Sequence, residues 1–488
     1  MTVDAGEVWQ RLSPRMLLVH PVHEVLRQIP LLIGSVVLGS ATGNPMWTLF
    51  GLALVIGYGV ARWFTTTYRI DSDQVQLKTG VLQRNVLSVP RNRIRSVSTD
   101  ARLLHRLLGL TVLRVSTGQE AKGDTAFALD AVRAEQVPRL RAILLADSLA
   151  PAEDEASEPG RELARWQPSW LRYSPLSFTG LAMILAAVGL AYQAGAGVAL
   201  QNSRIAQSGV DAAERFGVVA SVVVIGAAVL AASVVLSVLR SLVTYGNLVL
   251  RRDADALHLE HGLLRVREQT LDMRRLRGGT LREPLLVRLF GGARLDAVMT
   301  GVDGAGEASL LLPPCPRATA ETVLAELIAQ PEAVTGALHG HGAVATRRRW
   351  TRALALPAML LVAMVAQYSW TPIWLWPVLA VLAVCCALLA FDRSRALGHR
   401  VDAHWLVARA GSLDRRRDCI AAAGIIGWTV RQTLLQRRAG VATLIAATAA
   451  GVKSYRVIDV PAELAWSIAG SASPWVAGSE WATSESRT

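Results

Sequence analysis

The chain has 488 residues, 52% of them hydrophobic and only 18% charged, which excludes an average soluble globular protein. Its 51 Lys and Arg against 38 Asp and Glu give a net charge of +13, and only three of those cations are lysines. Such charge suits an anionic membrane surface. Nucleic-acid binding is disfavoured, because the arginines are spread along the chain and not interleaved with aromatics.

In chain order, residues 1–25 carry polar and acidic side chains without a short apolar run and cleavage site, so they read as a cytosolic N-terminus, not a signal peptide. Six apolar stretches follow in pairs: 29–43 with 46–61, 176–194 with 217–239, and 353–368 with 372–391. A spanning helix needs about 20 apolar residues. The third, fourth and sixth stretches reach that length, whereas the others are short and leave a buried core hairpin as the alternative. The connectors Gly43-Asn44-Pro45 and Ser369-Trp370-Thr371 are uncharged, while the segments between pairs are crowded with arginine, including Arg347, Arg348 and Arg349. Positive charge stays inside, so both termini and every polar domain are expected on the cytosolic face. Trp47, Trp63, Trp350 and Trp370 fall near span ends, where indoles sit in the headgroup zone.

The polar segments repeat. Counting from Gly80, Gly262 and Gly411, an arginine lies eleven residues before (Arg69, Arg251, Arg400) and an aspartate nine before (Asp71, Asp253, Asp402). Leucine lies two after (Leu82, Leu264, Leu413) and arginine twenty-six after (Arg106, Arg288, Arg437). A second glycine lies twenty-nine after (Gly109, Gly291, Gly440), with Leu113, Leu295 and Leu444 four residues beyond it. One unit is thus used three times. Val75 and Leu77 alternate with Gln74, Gln76 and Lys78, and Leu257 and Leu259 with His258 and Glu260, which predicts half-buried strands ended by the first glycine. Further strands are expected at 86–89, 94–98, 111–116 and 126–129. A short helix over 101–108 should end at Gly109, with Arg106 near its last carbonyls. Each copy closes with an amphipathic helix: Val137, Leu140 and Leu144 in the first, Val323, Leu324, Leu327 and Ile328 in the second, and Leu464 and Ile468 in the third. Strands plugged by one helix describe a small barrel or sandwich.

On Tyr68-Arg69-Ile70-Asp71, Gly80-Val81-Leu82, Arg93-Ile94 and Leu104-His105-Arg106-Leu107-Leu108-Gly109, the chain resembles the bacterial membrane proteins with pleckstrin-homology-like domains of the YdbS/YdbT type. The resemblance runs over essentially the whole chain and is weakest in the third copy. It implies a multi-pass protein of the bacterial inner membrane, with six transmembrane helices in three hairpins alternating with three small β-barrel (PH-like) domains, each capped by a C-terminal helix. The expected order is a cytosolic N-terminus (1–25), hairpin (26–63), domain (64–146), linker (147–170), hairpin (171–240), domain (241–330), linker (331–350), hairpin (351–392), domain (393–470) and disordered tail (471–488). Inositide binding is not implied, because the first strand–strand loop, Asp71-Ser72-Asp73, is acidic.

No catalytic motif emerges, and no cofactor is expected. The four cysteines form no Cys-x-x-Cys pair. His258 and His261 are three apart on a strand, so they point to opposite faces, and His339 and His341 fall in a loose linker. No ionisable residue sits mid-span, which argues against a transporter. Arginine clusters remain: Arg91, Arg93 and Arg95; Arg274, Arg275 and Arg277; Arg415, Arg416 and Arg417. They are either solvated surface or contacts for anionic lipid or a partner. The expected function is a non-enzymatic integral membrane scaffold presenting its domains for protein or anionic-lipid binding. The alternative is an accessory subunit of an envelope-stress or export system. Expected partners are the bilayer and a protein: another membrane subunit or a second copy.

Overall fold

The computed structural model describes single positions between 9 and 61, most of 63–116, and residues 127–145, 160–177, 179–193, 217–301 and 309–477. Most of the first expected hairpin, residues 147–159 of the expected linker 147–170 and residues 478–488 of the expected tail 471–488 lie outside the described residues; the rest of that linker and tail is folded, with Arg161–Arg165 paired as a strand and Val476 buried. The chain divides into two compact units: Met1–Trp166 with Val243–Arg275, and Gln167–Leu242 with Leu276–Thr488.

In the first unit, β1 (Gln10–Arg11), β2 (Thr67–Ile70), β3 (Gln74–Thr79) and β4 (Asn85–Pro90) form an antiparallel sheet in that order. β3 shows the predicted alternation, with Val75 and Leu77 turned into the core. β5 (Ser96–Ala101), the short helix α1 (Leu103–Leu107), β6 (Leu110–Ser116) and β7 (Phe127–Arg133) follow, and α2 (Val137–Leu145) plugs the core through Leu140 and Leu144. β5 also pairs with a strand of the second copy. A seven-stranded sheet thus runs β7-β6-β5-β11-β10-β9-β8, with β8 (Arg161–Arg165), β9 (Val249–Asp253), β10 (Ala256–His261) and β11 (Val266–Asp272).

Helices α3 (Thr179–Gln193) and α4 (Val218–Tyr245) lie between β8 and β9 in the chain. The backbone N–H of Trp166, just after β8, donates to the carbonyl of Leu248, just before β9, at 2.7 Å. The chain therefore returns to the point it left, and any passage through a bilayer in between must cross an even number of times. The same holds in the other copies. Gln10 pairs with Tyr68 around the first hairpin, and His339 with His399 around the third.

In the second unit, β12 (Leu276–Pro284), α5 (Leu285–Leu289), β13 (Gly292–Met299), β14 (Leu310–Pro316) and α6 (Arg317–Ile328) complete the second copy. Residues 331–350, expected as a linker, are folded: α7 (Pro331–Thr335) precedes α8 (Gly342–Ala366), because Val334, Ala345 and His341 are apolar or hydrogen-bonded groups buried against the third copy. α9 (Leu375–Ala396) leads into β15 (Gly398–Val401), β16 (Trp405–Ala410) and β17 (Asp414–Ala421), which join β12 in a six-stranded sheet, β14-β13-β12-β17-β16-β15. β18 (Ile425–Arg431), α10 (Leu434–Arg438), β19 (Val441–Thr448) and β20 (Ser454–Pro461) follow, with α11 (Ala462–Ala472) packed on the last sheet through Ile468 and Ala469.

The repeated residues now have reasons. Gly80, Gly262 and Gly411 have φ of 119°, 108° and 105°, and Gly109, Gly291 and Gly440 have 66°, 73° and 65°, all values that a side chain disfavours. Leu113, Leu295 and Leu444 are each fully buried, contributing about 2 kcal/mol apiece. The barrels expected as separate bodies share sheets, a feature that a repeat pattern does not predict.

Among the described residues three helices are long and apolar enough to cross a membrane: Val219–Tyr245, Gly342–Ala366 and Leu375–Ala396. A bent pair, Pro168–Ser177 with Gly180–Gly189, would make a fourth. Their apolar side chains are largely exposed, among them Val219, Val224, Met359, Val362, Val378 and Val381. α3 and α4 touch at small residues. The N–H of Gly180 donates to Ser237 Oγ at 2.8 Å, and a Cβ there would meet the Ser233 carbonyl at 1.9 Å.

Candidate anion-binding site

Most of the arginines singled out by the sequence are held within the chain. Arg91 donates to the carbonyl of Ile143 in α2. Arg274 and Arg275 both pair with buried Asp272, at 3.3 and 3.2 Å. The stem of Arg277 lies against Gly424. Arg415 reaches Asp392 at 2.7 Å, which also takes Arg288 at 2.8 Å, so one carboxylate at the foot of α9 gathers two copies' cations. Arg417 is buried and donates to the carbonyls of Ala333 and Gly336, closing the C-terminal end of α7. Arg416 pairs with Asp414 at the surface. Arg93 and Arg95 lie outside the described residues.

A different group converges at the foot of α8. The helix starts at Gly342, and its N-cap residue, His341, offers no side-chain cap to the first-turn N–H groups. His341 instead faces inward, its Nδ1 2.7 Å from the Ile458 carbonyl and its Nε2 2.9 Å from His399 Nδ1. Burial holds both rings neutral: the pKa of His341 is lowered, and that of His399 falls to about 4 through burial and its two histidine neighbours. Two turns on, Arg348 and Arg349 approach fully buried Asp459 at 3.5 and 3.1 Å. Gln436 Nε2 adds a hydrogen bond to Asp459 Oδ1 at 2.8 Å. Arg348 Nη1 also donates to the Leu435 carbonyl at 2.6 Å, tying α8 to α10.

Between these two helices lies a cleft of about 580 Å³, lined by Ala343, Val344, Arg347, Arg348, Thr351, Arg352, Leu435, Arg438 and Ala439. Arg347, Arg352 and Arg438 are exposed and make no ion pair among the described residues. Arg348 is only 9% exposed, and its Nη2 has no acceptor among them. Four guanidinium groups and an uncapped helix N-terminus thus face one space, an arrangement that favours an anion. Leu434 and Leu435, 82% and 63% exposed, form an apolar lip beside it.

The sequence reading counted Arg347 and Arg348 only as topology charges and missed Arg352 and Arg438. The spacing was a usable signal: 348 and 352 share a helix face immediately before the apolar run. Arg438 is harder to see, because two residues before the second glycine the other copies carry Leu107 and Leu289. His258 and His261, expected on opposite faces of a strand, contact Asp253 and Thr270, and the Thr244 carbonyl, respectively. Among the described residues no group of three or more His, Cys, Asp or Glu side chains is placed to hold a metal ion.

A family model described as Bacterial PH domain matches residues 24–148, 182–331 and 353–470. No curated protein and no solved structure matches the chain.

Proposed function

Because the chain belongs to the bacterial PH domain family, whose model covers well over half of it in three matches, we propose that it is a non-enzymatic membrane scaffold. Six spans in three pairs would hold its PH-like domains at the cytosolic face, and the cleft at the foot of α8 would hold the headgroup of an anionic phospholipid. That cleft is the observation that carries the reading. It opens at the junction of charge and grease: no charged residue separates Arg352 from Asp392, so the cationic lining ends where the apolar span begins. Arg347 lies six residues before Ala353, about 9 Å along the helix axis, within reach of a headgroup layer that adds roughly 5–7 Å to each side of the hydrocarbon. The apolar lip of Leu434 and Leu435 suits the first carbons of an acyl chain.

Each Arg near an anionic surface contributes on the order of 1 kcal/mol. Replacing Arg347, Arg352 and Arg438 with glutamine should therefore weaken retention of anionic lipid by up to about a hundredfold. The test uses the full-length protein in detergent. Native mass spectrometry should show phosphatidylglycerol bound to the parent in preference to phosphatidylcholine, and this preference should vanish in the triple variant. Equal retention of both lipids by the parent would reject the site. Reporter fusions at Asn202 and Trp370 test the spans separately and should report the external side.

A further inference from the structure

The chain contains a copy-to-copy junction twice, in one register. Ser98, eighteen residues after the first copy's turn glycine, stands opposite Gln269, seven after the second copy's. Thr280, eighteen after the second copy's glycine, stands opposite Asp418, seven after the third's. The strand after the short bend, β5 or β12, thus pairs antiparallel with the strand that follows the turn glycine of the next copy, β11 or β17. Two such edges remain over. β4 of the first copy pairs only with β3, and β18 of the third only with β19, among the described residues.

We propose that these edges join two chains head to tail, β18 of one pairing with β4 of a second copy of this protein. The internal register puts Thr429 opposite Leu87, with 427–431 running against 85–89. The proposal rests on the scaffold reading, since membrane hairpins would keep both edges at the same bilayer face.

Three further observations support this occupant. Natural sheets protect open edges with lysine or inward charges. β4 has no charged residue and β18 only its terminal Arg431, while Val86 and Ile426 are 56% and 69% exposed. Pro90, which has no N–H to donate, falls one residue beyond the ladder. The second observation is a glycine. At the second seam Gly278 lets the Cys419 carbonyl approach to 1.8 Å from where a Cβ would stand, and at the same position of the third copy Gly427 has only the Ala447 Cβ at 3.9 Å. The room kept at the second internal junction is also present at the open one, whereas Ser96 holds this position at the first. The third is the repeated arginine of the short helix. Arg106 donates to the Leu263 carbonyl and Arg288 pairs with Asp392, each reaching into the following copy. No further copy packs on Arg437 among the described residues, and its exposed guanidinium has no partner there. A head-to-tail contact is heterologous, so the assembly grows as a ring or an open filament.

The test is disulfide trapping of full-length chains in membranes, with Cys385 and Cys386 replaced by alanine. Two differently tagged chains, one Thr429→Cys and the other Leu87→Cys, should give a mixed cross-linked dimer on oxidation. The pair Val430→Cys with Leu87→Cys, one residue out of register, should not. In nanodiscs, Ile426→Lys with Val86→Lys should reduce the particle to a single chain. Absence of the 429–87 cross-link, or a parent that is monomeric at micromolar concentration, overturns the proposal. So does stoichiometric capture of a different protein on these edges. Fractionation separates the two readings: a chain that still cross-links at 429–87 after leaving the membrane overturns the scaffold and keeps the pairing.

Discussion

Thr280 and Asp418 meet across the seam between the second and third copies, the hydroxyl donating to Asp418 Oδ1 at 2.8 Å. This carboxyl retains some surface area but lies deep among its neighbours, and desolvation raises its pKa to about 6, against the opposing pull of the Thr280 bond, Arg416 and Arg282. A carboxylate whose folded pKa lies above its unfolded value weakens the fold while it is ionised. That penalty is full above about pH 6 and is relieved as pH falls toward the unfolded value near 4.

Asp418→Asn should therefore stabilise the protein relative to the parent at pH 7.5, with the hydroxyl still finding an acceptor. The advantage should shrink by about 1–1.5 kcal/mol by pH 5. His399 acts with the opposite sign. Its folded pKa of about 4 lies below the ordinary histidine value of 6.5, so its neutral burial costs stability as pH falls through that window. The difference between parent and variant melting temperatures in detergent isolates the Asp418 part, and a gap that does not change with pH would contradict the raised pKa.

The second seam also depends on Gly278. Its φ is 138°, it sits at a shift in strand register, and any Cβ would collide with the Cys419 carbonyl. Gly278→Ala should cost several kcal/mol, on the order of 3, because clash and backbone strain add. Gly427→Ala, at the same position of the third copy, meets nothing closer than 3.9 Å and should leave the melting temperature of a single chain nearly unchanged. Equal losses in the two variants would show that the seam does not set the cost.

How much of this was legible is best judged at particular residues. The glycines and the leucines after them were readable because turns and cores impose local rules, and the structure gives Gly80 and Gly109 the expected positive φ. The short helix before Gly109 and the terminal helices over Val137–Leu145, Arg317–Ile328 and Ala462–Ala472 also follow from periodicity. Pairing of β5 with β11 was not readable, since an edge strand has the same alternation whether its neighbour is in its own copy or the next. The cleft was illegible for a related reason: Arg438 enters it from a helix 86 residues beyond Arg352. The singled-out arginines followed strand spacing, which does not reveal that Asp272 and Asp392 receive them.

The packing of α3 on α4 gives another expectation. Gly180 admits the Ser233 carbonyl and the Ser237 hydroxyl at distances that no side chain allows, the close approach typical of membrane helices. Gly180→Leu should separate the pair and expose it to proteolysis, while Gly189→Leu, with open space around it, should not. Limited proteolysis in nanodiscs distinguishes them, and equal digestion of both would show that the helices do not pack here.

Asp459 carries the largest single load at the foot of α8. It is fully buried, has a φ of 57°, and faces Arg348 and Arg349 while accepting from Gln436. Asn is the best-tolerated residue in that backbone region, so Asp459→Asn removes the charge without adding backbone strain. What remains is two buried guanidinium groups without a counter-ion, a loss of about 3–5 kcal/mol. Replacing Arg349 by methionine in the same chain removes one of the stranded charges and should recover part of that loss, which a double-mutant cycle on thermal unfolding would measure. The cleft beside them should loosen in step, because Arg348 holds α10 only while Asp459 holds Arg348. If Asp459→Asn melts within a degree of the parent, the pair contributes no net stability, and another contact must fix the foot of α8.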